Sequence, residues 1–275
     1  MRLIKSFMLL GLLTAGAWWF LNPNNQLKEM ISSYVENGEI LTLEAKFTPE
    51  QLMEINRSDL LADSSRSYKE SNLKYYPYLL MDVKYIQSDK KSKEGVVLWG
   101  LIDGEMVLNT DSFEKTHGFE DAINANATST DFKIINVLAK NRGSLTYDEL
   151  QRELKLDSDI IDPWIESVRK KYLVVLKGNQ LQLHFEDPKI LVSPQTLFKQ
   201  NIVSKTYSYD QRVSKKYSNS QIEKIAKSAF GADFTIRNMK EIYLPVYQLE
   251  VQNPDGSIMG SFWNALNGKR ISAAY

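Results

Sequence analysis

Tyr75-Tyr76-Pro77-Tyr78-Leu79-Leu80-Met81-Asp82-Val83, followed by Trp99-Gly100-Leu101-Ile102-Asp103-Gly104, returns near the end of the chain. There it reads Tyr243-Leu244-Pro245-Val246-Tyr247-Gln248-Leu249-Glu250-Val251, followed by Trp263-Asn264-Ala265-Leu266-Asn267-Gly268. Setting Pro77 on Pro245 sets Asp82 on Glu250 and Val83 on Val251. Setting Trp99 on Trp263 sets Ile102 on Leu266 and Gly104 on Gly268. The two Pro-to-Trp spacings differ by four residues, which a longer hairpin loop in the first copy absorbs at small entropic cost. A differently patterned segment separates the copies. The repeat predicts an architecture and names no reaction.

Each copy predicts a helix feeding an antiparallel meander. In the first, Thr48-Pro49-Glu50-Gln51 starts a helix, with a threonine N-cap, proline at N1 and glutamine closing a capping box. Residues 63–72 are polar and predict a connection. Tyr75 to Tyr85 then predicts a strand, with Pro77 at its beginning or on an edge. Residues 87–94 read as a hairpin tip and Gly95 to Ile102 as the return strand. In the second copy, Ser218 caps a helix carrying Ile222, Ile225, Ala226 and Ala229 on one face. Phe234 to Arg237 predicts a short strand and Tyr243 to Val251 a longer one. Asn253-Pro254-Asp255-Gly256 is a turn before the return.

Between them, residues 131–185 change pattern. Phe132, Ile135, Val137 and Leu138 predict a first helix, and Thr146-Tyr147-Asp148-Glu149 caps a second. A third begins between Asp157 and Pro163 and turns Trp164, Ile165, Val168 and Tyr172 inward. Leu173 to Phe185 reads as a hairpin around Lys177-Gly178-Asn179.

Two resemblances follow from these patterns. The final unit, about 218–273, is similar to the PepSY-type domain of bacterial exported and membrane proteins. The likeness lies in Ile225-Ala226, Tyr247 to Val251, Asp255-Gly256, and an ending of the form D-A-x-x-G-K-x-I at Asn264-Ala265 and Asn267-Gly268-Lys269-Arg270-Ile271. Asn264 stands where that pattern has aspartate. The first copy shares the order of elements. The resemblance implies a small α+β interaction module, in some members inhibitory towards peptidases, with no catalytic residue to carry over. The central segment resembles a winged helix-turn-helix domain.

The expected fold class is therefore α+β: two small helix-plus-antiparallel-sheet units flanking a winged-helix domain, preceded by an N-terminal transmembrane helix. The expected divisions are 1–25 for a signal anchor or signal peptide and 26–123 for the N-terminal unit. Then come 130–187 for the winged helix, 188–217 for a linker and 218–275 for the C-terminal unit. Arg2 and Lys5 precede an uncharged, mostly apolar run from Ser6 to Leu21, about 28 Å long as a helix from Leu3. Ala15-Gly16-Ala17 fits a cleavage site, whereas Trp18-Trp19-Phe20 fits an interfacial belt and an uncleaved anchor. Either way the basic end lies on the cytoplasmic side. The body is expected outside the cytoplasm, on an inner membrane or in the periplasm.

Composition narrows the function classes. Thirty-four basic residues balance 34 acidic ones, so no global field draws the chain to nucleic acid. The absence of cysteine excludes disulfides, thiolate metal sites and cysteine nucleophiles. The glycines are dispersed and form no phosphate-cradling loop, and the chain contains neither G-x-S-x-G nor H-E-x-x-H. His117 has no recognisable nucleophile or orienting acid beside it, and His184 alternates with Leu183 and Phe185 along a strand. Asp82 and Glu250, at equivalent repeat positions, suit the outer face of a strand. Trp99 and Trp263 suit a core. The third central helix opens on Asp157, Asp159, Asp162 and Glu166, and residues 131–187 carry nine basic and ten acidic groups, which disfavours nucleic acid. No catalytic, cofactor or metal residue is expected, and no cofactor. The expected function is a non-enzymatic membrane-anchored envelope protein binding another envelope protein. The alternatives are a membrane-tethered DNA-binding regulator and a hydrolase using His117.

Overall fold

The computed structural model describes residues 38–62, 65–87 and 89–271. The expected anchor and the helix read over 26–37 lie outside these residues. Among the described residues no helix is long and apolar enough to cross a membrane. The fold is mixed α+β, built on a large sheet.

In chain order the first copy contains β1 (Glu39–Leu43), α1 (Pro49–Ile55), α2 (Arg57–Leu61), β2 (Ser67–Ile86), β3 (Ser92–Gly100) and β4 (Met106–Asn109). The insert follows, with β5 (Glu114–Lys115), α3 (Phe119–Asn124), α4 (Ser129–Lys140), β6 (Ser144–Thr146), α5 (Tyr147–Leu154), α6 (Ser158–Lys170), β7 (Val174–Lys177) and β8 (Gln180–Leu183). Last come β9 (Ile202–Thr206), α7 (Asn219–Phe230), β10 (Thr235–Gln252), β11 (Ile258–Asn264) and β12 (Arg270–Ile271).

The two copies share a single sheet, ordered β12-β11-β10-β2-β3-β4-β5. Its spine is the antiparallel ribbon of β2 and β10, paired from Ser67 opposite Gln252 to Lys84 opposite Thr235. Both strands are longer than their sequences predict. The polar run Ser67–Asn72, expected as a connection, is strand because Gln248 to Gln252 pair with it; its side chains stay largely exposed. Likewise Phe234–Arg237 and Tyr243–Val251 are parts of one strand.

The register reveals an internal two-fold relation. Pro77 pairs with Tyr243 and Pro245 with Tyr75, so the pair Tyr76–Leu244 lies on a pseudo-dyad. One residue bulges on each strand: Lys69 between Tyr68 and Glu70, and Arg237 between Ile236 and Asn238. In the alignment that sets Pro77 on Pro245, Lys69 falls on Arg237. Each bulge locally tightens the twist at its end of the ribbon.

The same relation holds in the backbone hydrogen bonds. Leu101 N–H donates to Pro77 O at 3.1 Å and Ala265 N–H to Pro245 O at 3.1 Å. Lys216 and Tyr217 N–H both donate to Leu101 O, as Lys46 and Phe47 N–H donate to Ala265 O. Thr42 pairs in parallel with Tyr243, and Arg212 with Tyr75. Each proline sits where its partner hairpin strand turns away, because β3 pairs only from Tyr78 onwards and β11 from Val246. The missing N–H therefore faces no ladder, and the expected edge position is met locally in mid-strand.

The helices are exchanged across this dyad. Leu52 of α1 and Leu60 of α2 share a core with Leu249, Val251 and Trp263 of the second copy. Ile222, Ile225 and Ala226 of α7 share one with Leu79, Met81, Val83 and Trp99 of the first. The lead-ins match: Phe47-Thr48-Pro49-Glu50-Gln51-Leu52 and Tyr217-Ser218-Asn219-Ser220-Gln221-Ile222 both form complete capping boxes after an aromatic residue. That residue and the one at N4 are placed as a hydrophobic staple.

The insert carries three helices and a three-stranded sheet ordered β6-β8-β7. Its capped helices fall where the sequence places them, including the box at Thr146. Pro163 lies inside α6, with Asp157 at the N-cap. The insert's core is continuous with the helix-bearing face of β2 and β3. Residues 188–217, expected as a linker, are bonded along the sheet. Lys189 pairs with His117, Leu197 with Asn109, and β9 with β1. Thr196 is the main clasp: its N–H donates to Val96 O, its hydroxyl donates to Val107 O at 2.6 Å, and the same hydroxyl accepts from Leu98 N–H at 2.9 Å.

Candidate functional site

The pseudo-dyad makes two equivalent hollows, each between an exchanged helix and the tryptophan of a hairpin. In the first copy the hollow is filled. Phe119, the first residue of α3, is fully buried, with its ring centroid 4.8 Å from Trp99 and 6.1 Å from Phe230 of α7. Ala122 and Ile123 of the same helix complete the seal. Gly104 has φ +69°, and a Cβ there would lie 2.9 Å from Ile123 and 3.0 Å from Tyr217, so the turn and its cover are in close contact.

Glu105 holds this cover in place. It is 8 % exposed, and its carboxylate accepts from Gly118 N–H at 2.9 Å, Glu120 N–H at 3.0 Å and the Thr116 hydroxyl at 2.6 Å. A buried carboxylate thus satisfies donors at the start of α3. Burial pushes its pKa above the usual carboxylate range, and these three bonds only partly oppose that.

In the second copy the equivalent hollow is open. Asn56, Asp59 and Leu60 form one wall and Met259, Ser261 and Trp263 the other, around a cleft of about 510 Å³. Lys269 takes the place of Glu105 in the turn and Arg270 that of Met106. Both cations are exposed, and among the described residues neither has an ion-pair partner. The edge of β11 is open in the same way. Its equivalent, β3, is clasped by Thr196, whereas among the described strands β12 alone covers the outer side of β11, at Phe262 and Trp263.

The sequence-stated candidates fall elsewhere. His117 is exposed; its Nδ1 lies 3.3 Å from the Asp187 carbonyl, and among the described residues no acid or nucleophile is bonded to it. His184 is exposed just beyond β8. Asp82 accepts from Asn238 at 3.3 Å and Glu250 from Gln248 at 3.1 Å, at opposite ends of the ribbon about 40 Å apart. Trp99 and Trp263 are both buried, 0 % and 3 % exposed. Of the acids opening α6, Asp162 accepts from the Tyr147 hydroxyl at 2.7 Å and Glu166 pairs with Lys170.

Two further charged clusters are structural. Lys115 donates to the Tyr78 hydroxyl at 2.9 Å and pairs with Asp103. Asp131, 1 % exposed, caps α4 through Thr128 and binds Lys171 and Ser167 of the α6 end. Among the described residues no group of three or more His, Cys, Asp or Glu is placed to hold a metal.

Phe119, Glu105 and the open cleft were not read from the sequence. Residues 116–130 look like a boundary, and Phe119 is isolated among polar neighbours. The matched lead-ins before Gln51 and Gln221 were a legible signal for the helix exchange. Comparison with protein-family models, curated proteins and solved structures finds no match to this chain.

Proposed function

We propose that the chain is a non-enzymatic, membrane-anchored envelope protein that binds a protein partner, built as two PepSY-like units around a winged-helix insert. The observation that carries this reading is the pair of equivalent hollows, one closed by the chain's own insert and the other open beside two unpaired cations. A duplicated frame that covers one of its two faces leaves the other for something else. The order helix–strand–helix–helix–hairpin, with strands ordered β6-β8-β7, supports the winged-helix assignment. The acidic opening of α6 favours contact with protein over nucleic acid. Anchoring rests on the apolar run Ser6–Leu21 behind Arg2 and Lys5.

A C-terminal reporter fusion tests location: activity outside the cytoplasm alone is the expected result, and cytoplasmic activity contradicts it. Affinity capture from detergent-solubilised membranes tests binding. A specific co-purifying protein is expected, and recovery at background level contradicts the reading.

A further inference from the structure

We propose that the open cleft of the second copy takes a peptide segment presenting one aromatic side chain followed by carboxylates. The inference deepens the binding-module reading and rests on it. Three observations carry it.

The first is the occupant of the equivalent hollow. In the first copy an aromatic ring, Phe119, stacks beside Trp99 under the C-terminal turn of α7. Trp263 and the α2 wall offer the same hollow in the second copy, with room of about 510 Å³ for a large side chain and its neighbours. The second is charge. Glu105 in the first copy receives N–H donors from Gly118 and Glu120. At the same turn position the second copy has Lys269, with Arg270 following, so the complementary group there is an anion. Asp59 is the single acid on the rim against these two cations, and it turns away acids from the α2 side. The third is the open backbone edge of β11 from Ile258 to Ser261, where Thr196 clasps the equivalent strand. An extended stretch of the peptide gains main-chain bonds there.

The internal occupant supplies the probe. A fluorescein-labelled, terminally blocked peptide with the sequence of residues 117–124, His-Gly-Phe-Glu-Asp-Ala-Ile-Asn, is titrated with the full chain in detergent and read by anisotropy. Saturable binding is expected. It should weaken at least about tenfold when the probe's phenylalanine is changed to alanine, or when its two acids are made amides. The protein double variant Lys269→Glu, Arg270→Glu should lose a similar factor, and added salt should weaken binding. Both positions are exposed, so the variant retains its fold, and Lys91→Glu on the β2–β3 hairpin serves as an unaffected control. No binding, or binding indifferent to the double variant, overturns the proposal. If the membrane capture above succeeds equally with wild type and double variant while the probe fails, the cleft is wrong and the binding-module reading stands. If capture also fails, both fall. Self-association in sedimentation that disappears in the double variant makes a second copy the occupant and overturns the peptide proposal.

Discussion

At the scale of single residues, the pseudo-dyad turns equivalent positions into internal controls. Gly104 and Gly268 have nearly the same backbone, φ +69° and +70°, but different surroundings. A Cβ at Gly268 meets Leu52 at 3.4 Å, an ordinary contact, whereas at Gly104 it meets Ile123 at 2.9 Å. Gly268→Ala should therefore cost only the left-handed backbone penalty, about 1 kcal/mol. Gly104→Ala adds overpacking and should cost about 3 kcal/mol. Urea denaturation of the two variants checks the ordering; equal losses would mean that α3 does not cover the first turn. Asp131 gives a pH prediction. Burial is the largest influence on its pKa and acts upward, but the hydrogen bonds from Lys171 and Thr128 outweigh it and hold the group below the usual aspartate range. A carboxyl depressed in the folded state contributes stability above its unfolded pKa, and that contribution is lost as pH falls through the folded pKa. Wild type should lose more stability than Asp131→Asn between about pH 5 and about pH 2, read from denaturation midpoints.

At the scale of elements, the sequence was most informative where a helix start is chemically marked. The boxes at Thr48, Thr146 and Ser218 all form as spaced. It was least informative where long-range pairing decides. Ser67–Asn72 carries no strand pattern, since strand there depends on β10, far away in the chain. Residues 188–201 carry no periodicity because their bonds come from single residues such as Thr196. Replacing that threonine by valine keeps the shape and deletes the hydroxyl, leaving Leu98 N–H and Val107 O without their partner. The expected cost is about 2–3 kcal/mol. Amide exchange should quicken first at Val96 to Leu98; an unchanged stability would remove the strap from the fold's support. Phe119 is the other hidden element. Its truncation to alanine should cost about 3–5 kcal/mol, because the ring fills a hollow that rigid strands on one side and α7 on the other cannot close. A loss below about 1 kcal/mol would mean that the first hollow is not sealed by this ring.

At the scale of the whole molecule, the repeat was legible and its assembly was not. Proline, tryptophan and glycine spacings disclosed two related units. Nothing in either unit alone discloses that their first long strands pair with each other and that each helix packs on the other's hairpin. The exchange makes the halves interdependent: neither hairpin has its own helix to cover it. It also sets the functional asymmetry, because an insert after one hairpin covers one hollow and leaves the other. The central claim is therefore the ribbon of β2 and β10 in its observed register. The chain contains no cysteine, so an introduced pair reports without interference. Asn72 and Gln248 are direct partners across the ribbon, near the second hairpin, within disulfide reach for antiparallel neighbours. The Asn72→Cys, Gln248→Cys variant should oxidise to an intramolecular disulfide, seen as a mass loss of two hydrogens in a monomeric chain. Two free thiols under the same oxidation would contradict the shared sheet and, with it, the paired hollows.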